Sequence, residues 1–295
     1  MRKMFQNMKT SARLAFFVLF IGVATVLASA ITTPILKASN METAQVILCV
    51  QGLSQIIMFL CPALLFAWLF SDKVGVFFQT GLKRWQLYPI LLATLLIIIA
   101  IPLVDVLSSW NESLHLPQSL AKFEDLIRLT EKKSQELVSQ FLSLPGLGNL
   151  LLNLLILALI PAICEELVFR GVIQKTLVDW FRNPHVAIMV TAAVFSLTHF
   201  EIFQFVPRFV LGVFLGYIFY YSHTIWASAL AHFTNNALIV VLSYAQKYNI
   251  INIDPQNIQL PYPAIFAIAS TVLSAVILFF MMKTCKKHTQ ILKKE

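Results

Sequence analysis

Apolar residues in this chain come in long unbroken blocks, with short polar interruptions between them. Eight blocks are long enough to matter, at roughly 14–36, 45–70, 86–108, 150–177, 186–202, 206–222, 224–245 and 262–282. A helix needs about 20 apolar residues to cross a hydrocarbon core of about 30 Å. Only helices or closed barrels satisfy their backbone polar groups in lipid, and barrel strands would alternate rather than run continuously. The pattern therefore predicts an all-α, polytopic integral membrane protein with about eight transmembrane helices. One sizeable loop interrupts it, at 109–149. There Leu116, Leu120, Phe123, Ile127, Leu137, Phe141 and Leu144 recur at helical spacing, before Pro145 and Gly146. This predicts an amphipathic helix over about 116–144 lying on the outer membrane surface. No internal repeat or low-complexity tract divides the chain. The expectation is one membrane domain over residues 1–295, with its chemistry-bearing core at about 145–245.

Composition sharpens that reading. The chain is 58% hydrophobic and 12% charged, with a mean hydropathy of +0.78. Soluble domains carry about 25% charged residues, so a water-soluble domain of this size is excluded. The net charge of +8 resides mainly in chain ends and short loops, where it reports orientation rather than a nucleic-acid partner. With the N-terminus inside, the inner segments hold fourteen Lys and Arg. They are Arg2, Lys3, Lys9, Arg13, Lys73, Lys83, Arg84, Lys175, Arg182, Lys283, Lys286, Lys287, Lys293 and Lys294. The outer segments hold seven: Lys37, Lys122, Arg128, Lys132, Lys133, Arg208 and Lys247. The excess predicts cytoplasmic N- and C-termini. An A-S-A at 28–30 resembles a signal-peptide cleavage site, but the apolar run continues past it and seven more blocks follow. An uncleaved first helix is expected. Cys49, Cys61, Cys164 and Cys285 show no framework spacing and read as small core hydrophobes.

Against this apolar background, "PAICEELVFRG" at 161–171 places Glu165, Glu166 and Arg170 inside the fourth block. Each such group costs roughly 2.5–3.5 kcal/mol near the middle of a membrane helix. Residues four apart share a helix face, so Glu166 and Arg170 are placed to pair. Glu165 is turned about 100° from that pair and is free to face a cavity. Downstream, "VFSLTHF" puts Phe195 and His199 on one face of the fifth block. "ALAHFTNNAL" puts His232 and Asn236 on one face of the seventh. If the fourth helix runs on through "GVIQKTLVDWF" to about Trp180, then Glu165, His199 and His232 reach compatible depths and can share one site. Taken singly, a Glu–Arg pair serves as a packing clamp and a His or Asn as interhelical glue. Their joint occurrence on three helices argues for chemistry. A carboxylate and an imidazole together deprotonate water, and a second imidazole with an amide stabilises an oxyanion. The same side chains also suit a divalent metal such as zinc, and sequence alone leaves both chemistries open.

These three motifs, E-E-L-V-F-R, F-S-L-T-H and H-F-T-N-N, each in an apolar block and in this order, resemble the CAAX protease and bacteriocin-processing (CPBP, or Abi) family, type II CAAX prenyl endopeptidase-like. The resemblance covers about 145–245 and implies an intramembrane endopeptidase acting on a membrane-associated peptide or protein. It implies that Glu165 and His199 activate water and that His232 and Asn236 form the oxyanion hole. Glu166, Arg170 and Phe195 would organise the site. Members of this family have been read both as metalloproteases, with Glu165, His199 and His232 as the ligands here, and as metal-free glutamate-dependent enzymes. Asn236 is a poor zinc ligand and a good oxyanion donor, which favours the second. Bacterial members are tied to peptide maturation, peptide secretion and bacteriocin immunity, and the compact chain resembles those of the bacterial inner membrane. The partners expected are substrate and lipid bilayer, with no nucleic acid. Two rivals stand: a non-catalytic immunity or scaffold protein, and a proton-coupled transporter. The transporter would call for inverted repeats or paired helix breaks, and none is seen.

Overall fold

The computed structural model describes residues 5, 8–38, 43–252 and 260–292. Arg2, Lys3, Lys293 and Lys294, four of the charges in the orientation count, lie outside the described residues. Among the described residues there are helices, turns and no strands, so the all-α expectation holds. Seven helices are long and apolar enough to cross a membrane, and one shorter apolar helix accompanies them. With the polar helix of the long loop (α4) added to those eight, the main helices in chain order are α1 (Thr10–Ala38), α2 (Ala44–Phe70), α3 (Leu87–Glu112), α4 (Ala121–Leu142), α5 (Leu147–Phe181), α6 (Pro184–Leu197), α7 (Phe205–Ser222), α8 (Ile225–Lys247) and α9 (Pro263–Leu292).

Two predicted elements need adjustment. The fifth block was expected to span over 186–202, but α6 stops at Leu197 after 14 residues. At about 1.5 Å per residue it covers roughly 21 Å, short of the hydrocarbon thickness. A turn ends it, with Phe200 in the left-handed region at φ 56°. A β-carbon pays for that conformation with steric strain, so the helix cannot simply continue. By contrast α5 does run on to Phe181, as the depth argument required. The long loop contains α4, which matches the predicted amphipathic helix but with a different buried face. Glu124, Glu131, Phe141 and Leu142 are buried, while Leu120, Phe123, Leu126 and Leu129 are exposed. The first half of α4 thus turns carboxylates toward the protein and apolar side chains outward, an arrangement suited to a lipid surface.

Tight connections make α5/α6 and α7/α8 neighbours. Arg182 (φ 55°) and His223 (φ 52°) end α5 and α7 in the left-handed conformation. Asn183 then caps α6 by accepting from the backbone N–H groups of His185 and Val186 at 3.0 and 3.3 Å. Thr224 caps α8 through the Trp226 N–H. Such side-chain oxygens satisfy amides that a helix start leaves bare.

Two apolar cores flank the middle of the bundle. One joins α1, α2, α5 and α6 around Phe17, Phe66, Phe169 and Phe195. The other joins α3, α7, α8 and α9 around Leu96, Leu215, Ala231 and Met281. The polar motifs of α5, α6 and α8 lie where the two cores meet. The cysteines are all free. Cys164 is buried, but Cys49 and Cys61 are exposed on the bundle's surface, which corrects their reading as core residues. Membrane helices can leave apolar-compatible side chains facing lipid, so burial cannot be inferred from residue type.

Candidate functional site

Helix α5 carries the first motif and is irregular around it. The segments Leu154–Leu159 and Leu167–Gln174 are wound as π-helix on either side of Ile160–Glu166. Such bulges shift the facing of side chains and recur at functional sites. The Glu166–Arg170 pair survives this. Arg170 Nη1 donates to Glu166 Oε1 at 2.8 Å, and both side chains are wholly buried. Arg170 Nη2 donates to the Gly212 carbonyl of α7 at 3.1 Å, and its guanidinium lies 4.9 Å from the Phe195 ring centre of α6. One buried cation therefore ties three helices together.

The same Glu166 oxygen has a second partner. His232 Nδ1–H donates to Glu166 Oε1 at 3.1 Å, and His232 Nε2 stands 3.8 Å from Glu165 Oε2. The two adjacent carboxylates thus address the two nitrogens of one imidazole. Glu166 is thus the partner of the arginine, as its spacing suggested, and of the histidine as well. Glu165 is 8% exposed and His232 4% exposed, so the pair is nearly closed to the outside.

His199 lies just past the end of α6, and the face it was expected to share with Phe195 is retained. Its Nδ1–H donates to the Phe195 carbonyl at 2.9 Å, and its ring sits 5.0 Å from the Phe195 ring. That ring in turn lies edge-on to His232 at 5.9 Å and to Phe169 at 5.1 Å. A backbone carbonyl can only accept, so the proton sits on Nδ1 and Nε2 carries the free lone pair. Asn236 follows His232 by one turn on α8 and is half-buried. Its Oδ1 accepts from Asn235 Nδ2 at 3.1 Å, which leaves its own amide N–H groups to donate. Glu165 and His232 are brought together, His199 is linked to His232 through the Phe195 ring, and Glu166 and Arg170 hold the pair from behind. Asn236 shares the helix without a direct bond to the cluster.

Among the described residues, no three His, Cys, Asp or Glu side chains cluster tightly enough to hold a metal ion. The set Glu165, His199 and His232 does not fit a metal in this arrangement, and no step is derived through one. The sequence reading missed Gly212. A β-carbon there would lie 3.1 Å from Ala192 and 3.2 Å from Phe195, so only glycine lets α7 approach closely enough for its carbonyl to reach Arg170. Its position inside the apolar run of α7 gives no signal in the sequence.

Fold and cluster together define an all-α membrane protein with a carboxylate–imidazole centre held inside its helices. Residues 147–238, about a third of the chain, match the family model described as type II CAAX prenyl endopeptidase Rce1-like. The match contains all three motifs and bears out the resemblance to the CAAX protease and bacteriocin-processing family. The match likens this part of the chain to proteases of the CAAX type, and the seven long apolar helices among the described residues fit an integral membrane protein. No curated protein and no solved structure matches the chain significantly.

Proposed function

We propose that the protein is an intramembrane endopeptidase that hydrolyses a peptide bond with a water activated by Glu165 and His199. The observation that carries this reading is His232 Nε2 at 3.8 Å from Glu165 Oε2, with the Phe195 ring against both His232 and His199 at 5.9 and 5.0 Å. The bond from His199 Nδ1–H to the Phe195 carbonyl leaves Nε2 as the basic nitrogen. A water between that nitrogen and the Glu165 carboxylate would give up its proton as it attacks the scissile carbonyl. The oxygen of that carbonyl then becomes an oxyanion. His232 and Asn236 would stabilise it: the Glu166 bond turns His232 so that Nε2 faces the Glu165 side, and Nε2–H donates when the ring is doubly protonated. The amide group of Asn236 is the second donor. Collapse of the tetrahedral intermediate breaks the C–N bond, and the proton held by the Glu165–His199 pair passes to the leaving amine.

The charge count supports both termini in the cytoplasm and α4 on the outer face, an orientation that requires the short α6, with the turn after it, to cross as an eighth span. The test is cleavage of a peptide library by detergent-purified protein, with and without a chelator. Glu165→Gln is expected to lower kcat by about 10²-fold or more, the usual contribution of general acid–base catalysis, while the variant accumulates normally. His199→Ala is expected to behave alike. Cleavage that survives both changes would overturn these roles. Loss of wild-type cleavage on chelation would replace them with a metal mechanism.

A further inference from the structure

The connection from α6 to α7 carries His199, and it is held from outside by two elements that take no part in the candidate site. From α3, Asn111 accepts the Val206 N–H at 2.7 Å and donates to the Ile202 carbonyl at 3.4 Å. Ser108 donates to Gln204 at 2.9 Å. From α4, Glu131 Oε1 accepts the Phe203 N–H at 3.2 Å. One turn back on α4, Arg128 lies 3.7 Å over the Phe203 ring and is fixed by Glu124 at 2.8 Å. The end of α6 is tied to the same connection, because Ser196 Oγ–H donates to the Phe205 carbonyl at 2.7 Å.

Glu131 is the unexpected member. It is 6% exposed, and a buried carboxylate is costly. Docking α4 would be served as well by an apolar side chain at that position. What a carboxylate does that an apolar group cannot is satisfy bare amides. Ile202–Gln204 is a single 3₁₀ turn leading directly into α7, and Gln204 provides no side-chain cap. The first amides of such a start have no partner within the helix, and a negative charge there is also favoured by the helix dipole. Glu131 therefore caps this turn from a different helix.

We propose that Glu131 is a positioning residue: by capping the Ile202–Gln204 turn from α4, it fixes the connection that holds His199 beside Glu165. The proposal rests on the reading of His199 as part of the water-activating pair. It makes the alignment of that pair depend on α4 being seated.

The experiment compares wild type, Glu131→Ala and Glu131→Gln as full-length purified protein, in two measurements. The first is peptide cleavage. Glu131→Ala is expected to lower kcat by about 10–100-fold with little change in KM, the scale of loss that follows a small misplacement of a reacting group. Glu131→Gln keeps an oxygen able to accept the Phe203 N–H and is expected to recover most of that loss. The second is hydrogen exchange of peptides covering 197–206. Glu131→Ala is expected to exchange faster there, while the peptides of α5 and α8 are unchanged and Glu131→Gln stays close to wild type. Unaltered exchange in 197–206, or unaltered kcat, overturns the proposal. So does a general loss of fold that Glu131→Gln does not rescue. If wild-type cleavage does not depend on Glu165, the endopeptidase reading fails instead, and the exchange data still decide whether Glu131 fixes the connection.

Discussion

At the scale of single residues, the centre is organised by one shared oxygen. Glu166 Oε1 accepts from Arg170 and from His232, so three buried ionisable groups answer for one another. Removing one partner of such a pair leaves an uncompensated buried charge, which typically costs about 3–5 kcal/mol. Arg170→Met is therefore expected to destabilise the protein by about that amount, and Glu166→Gln/Arg170→Met by clearly less. Chemical denaturation in detergent, followed by tryptophan fluorescence, would check this. A loss in the double variant equal to the sum of the two single losses would show that the pair is not coupled. The E-x-x-x-R spacing made this pair legible in the sequence. Its link to His232 was not, because sixty-six residues separate the two and no local pattern encodes which helix faces which.

At the scale of elements, close approach between α6 and α7 governs the site. A β-carbon at Gly212 would stand 3.1 Å from Ala192 and 3.2 Å from Phe195, tighter than ordinary contact, and the Gly212 carbonyl accepts from Arg170. Gly212→Val would force α6 and α7 apart. Overpacking of this kind costs typically 1–3 kcal/mol, so the expected outcome is a lowered Tm together with loss of cleavage, since Phe195 and His199 move with α6. An unchanged Tm would mean that the helices adjust freely. The long apolar runs gave the helices, and the short polar breaks gave their order. The early end of α6 escaped the pattern, because "FSLTHFEIF" stays largely apolar while the backbone turns at Phe200. Apolarity reports what lipid tolerates and says little about where a helix stops.

At the scale of the whole molecule, α4 closes one end of the bundle through charged contacts. Arg128 first, then the Leu116 N–H and His115, hold the Glu124 carboxyl down from 4.5 to about 2. A lowered carboxylate pKa gives stabilisation that is fully present above the ordinary value and lost as pH falls toward the folded one. The Glu124 anchor is therefore expected to hold at neutral pH and to weaken between about 4.5 and about 2. Burial pushes Glu131 the other way, upward, and a raised carboxylate pKa gives stability that is lost as pH rises, so Glu131 does not drive release in acid. Limited proteolysis of the 113–146 region across pH should show α4 releasing as pH falls between about 4.5 and about 2, before the spanning helices unfold. Release only on alkalinisation would contradict the assignment of Glu124. Lys247 also donates to the Ser143 carbonyl at the other end of α4, and Tyr248 accepts the Gly146 N–H at 3.0 Å, so both ends of the helix are tethered.

The amino-acid sequence by itself determined that this chain crosses a membrane as helices, because unbroken apolar runs leave the backbone no other way to satisfy its hydrogen bonds in lipid. It also determined which polar side chains are too costly to be there without a reason, since that penalty belongs to each residue wherever it sits. Only the tertiary structure decided that Glu166 serves both Arg170 and His232, that Gly212 completes the arginine's contacts, and that α4 turns Glu131 inward onto the turn beside His199. Those outcomes depend on which faces meet across the bundle, and distances between helices remote in sequence are set by packing, which no periodicity along one strand of letters records.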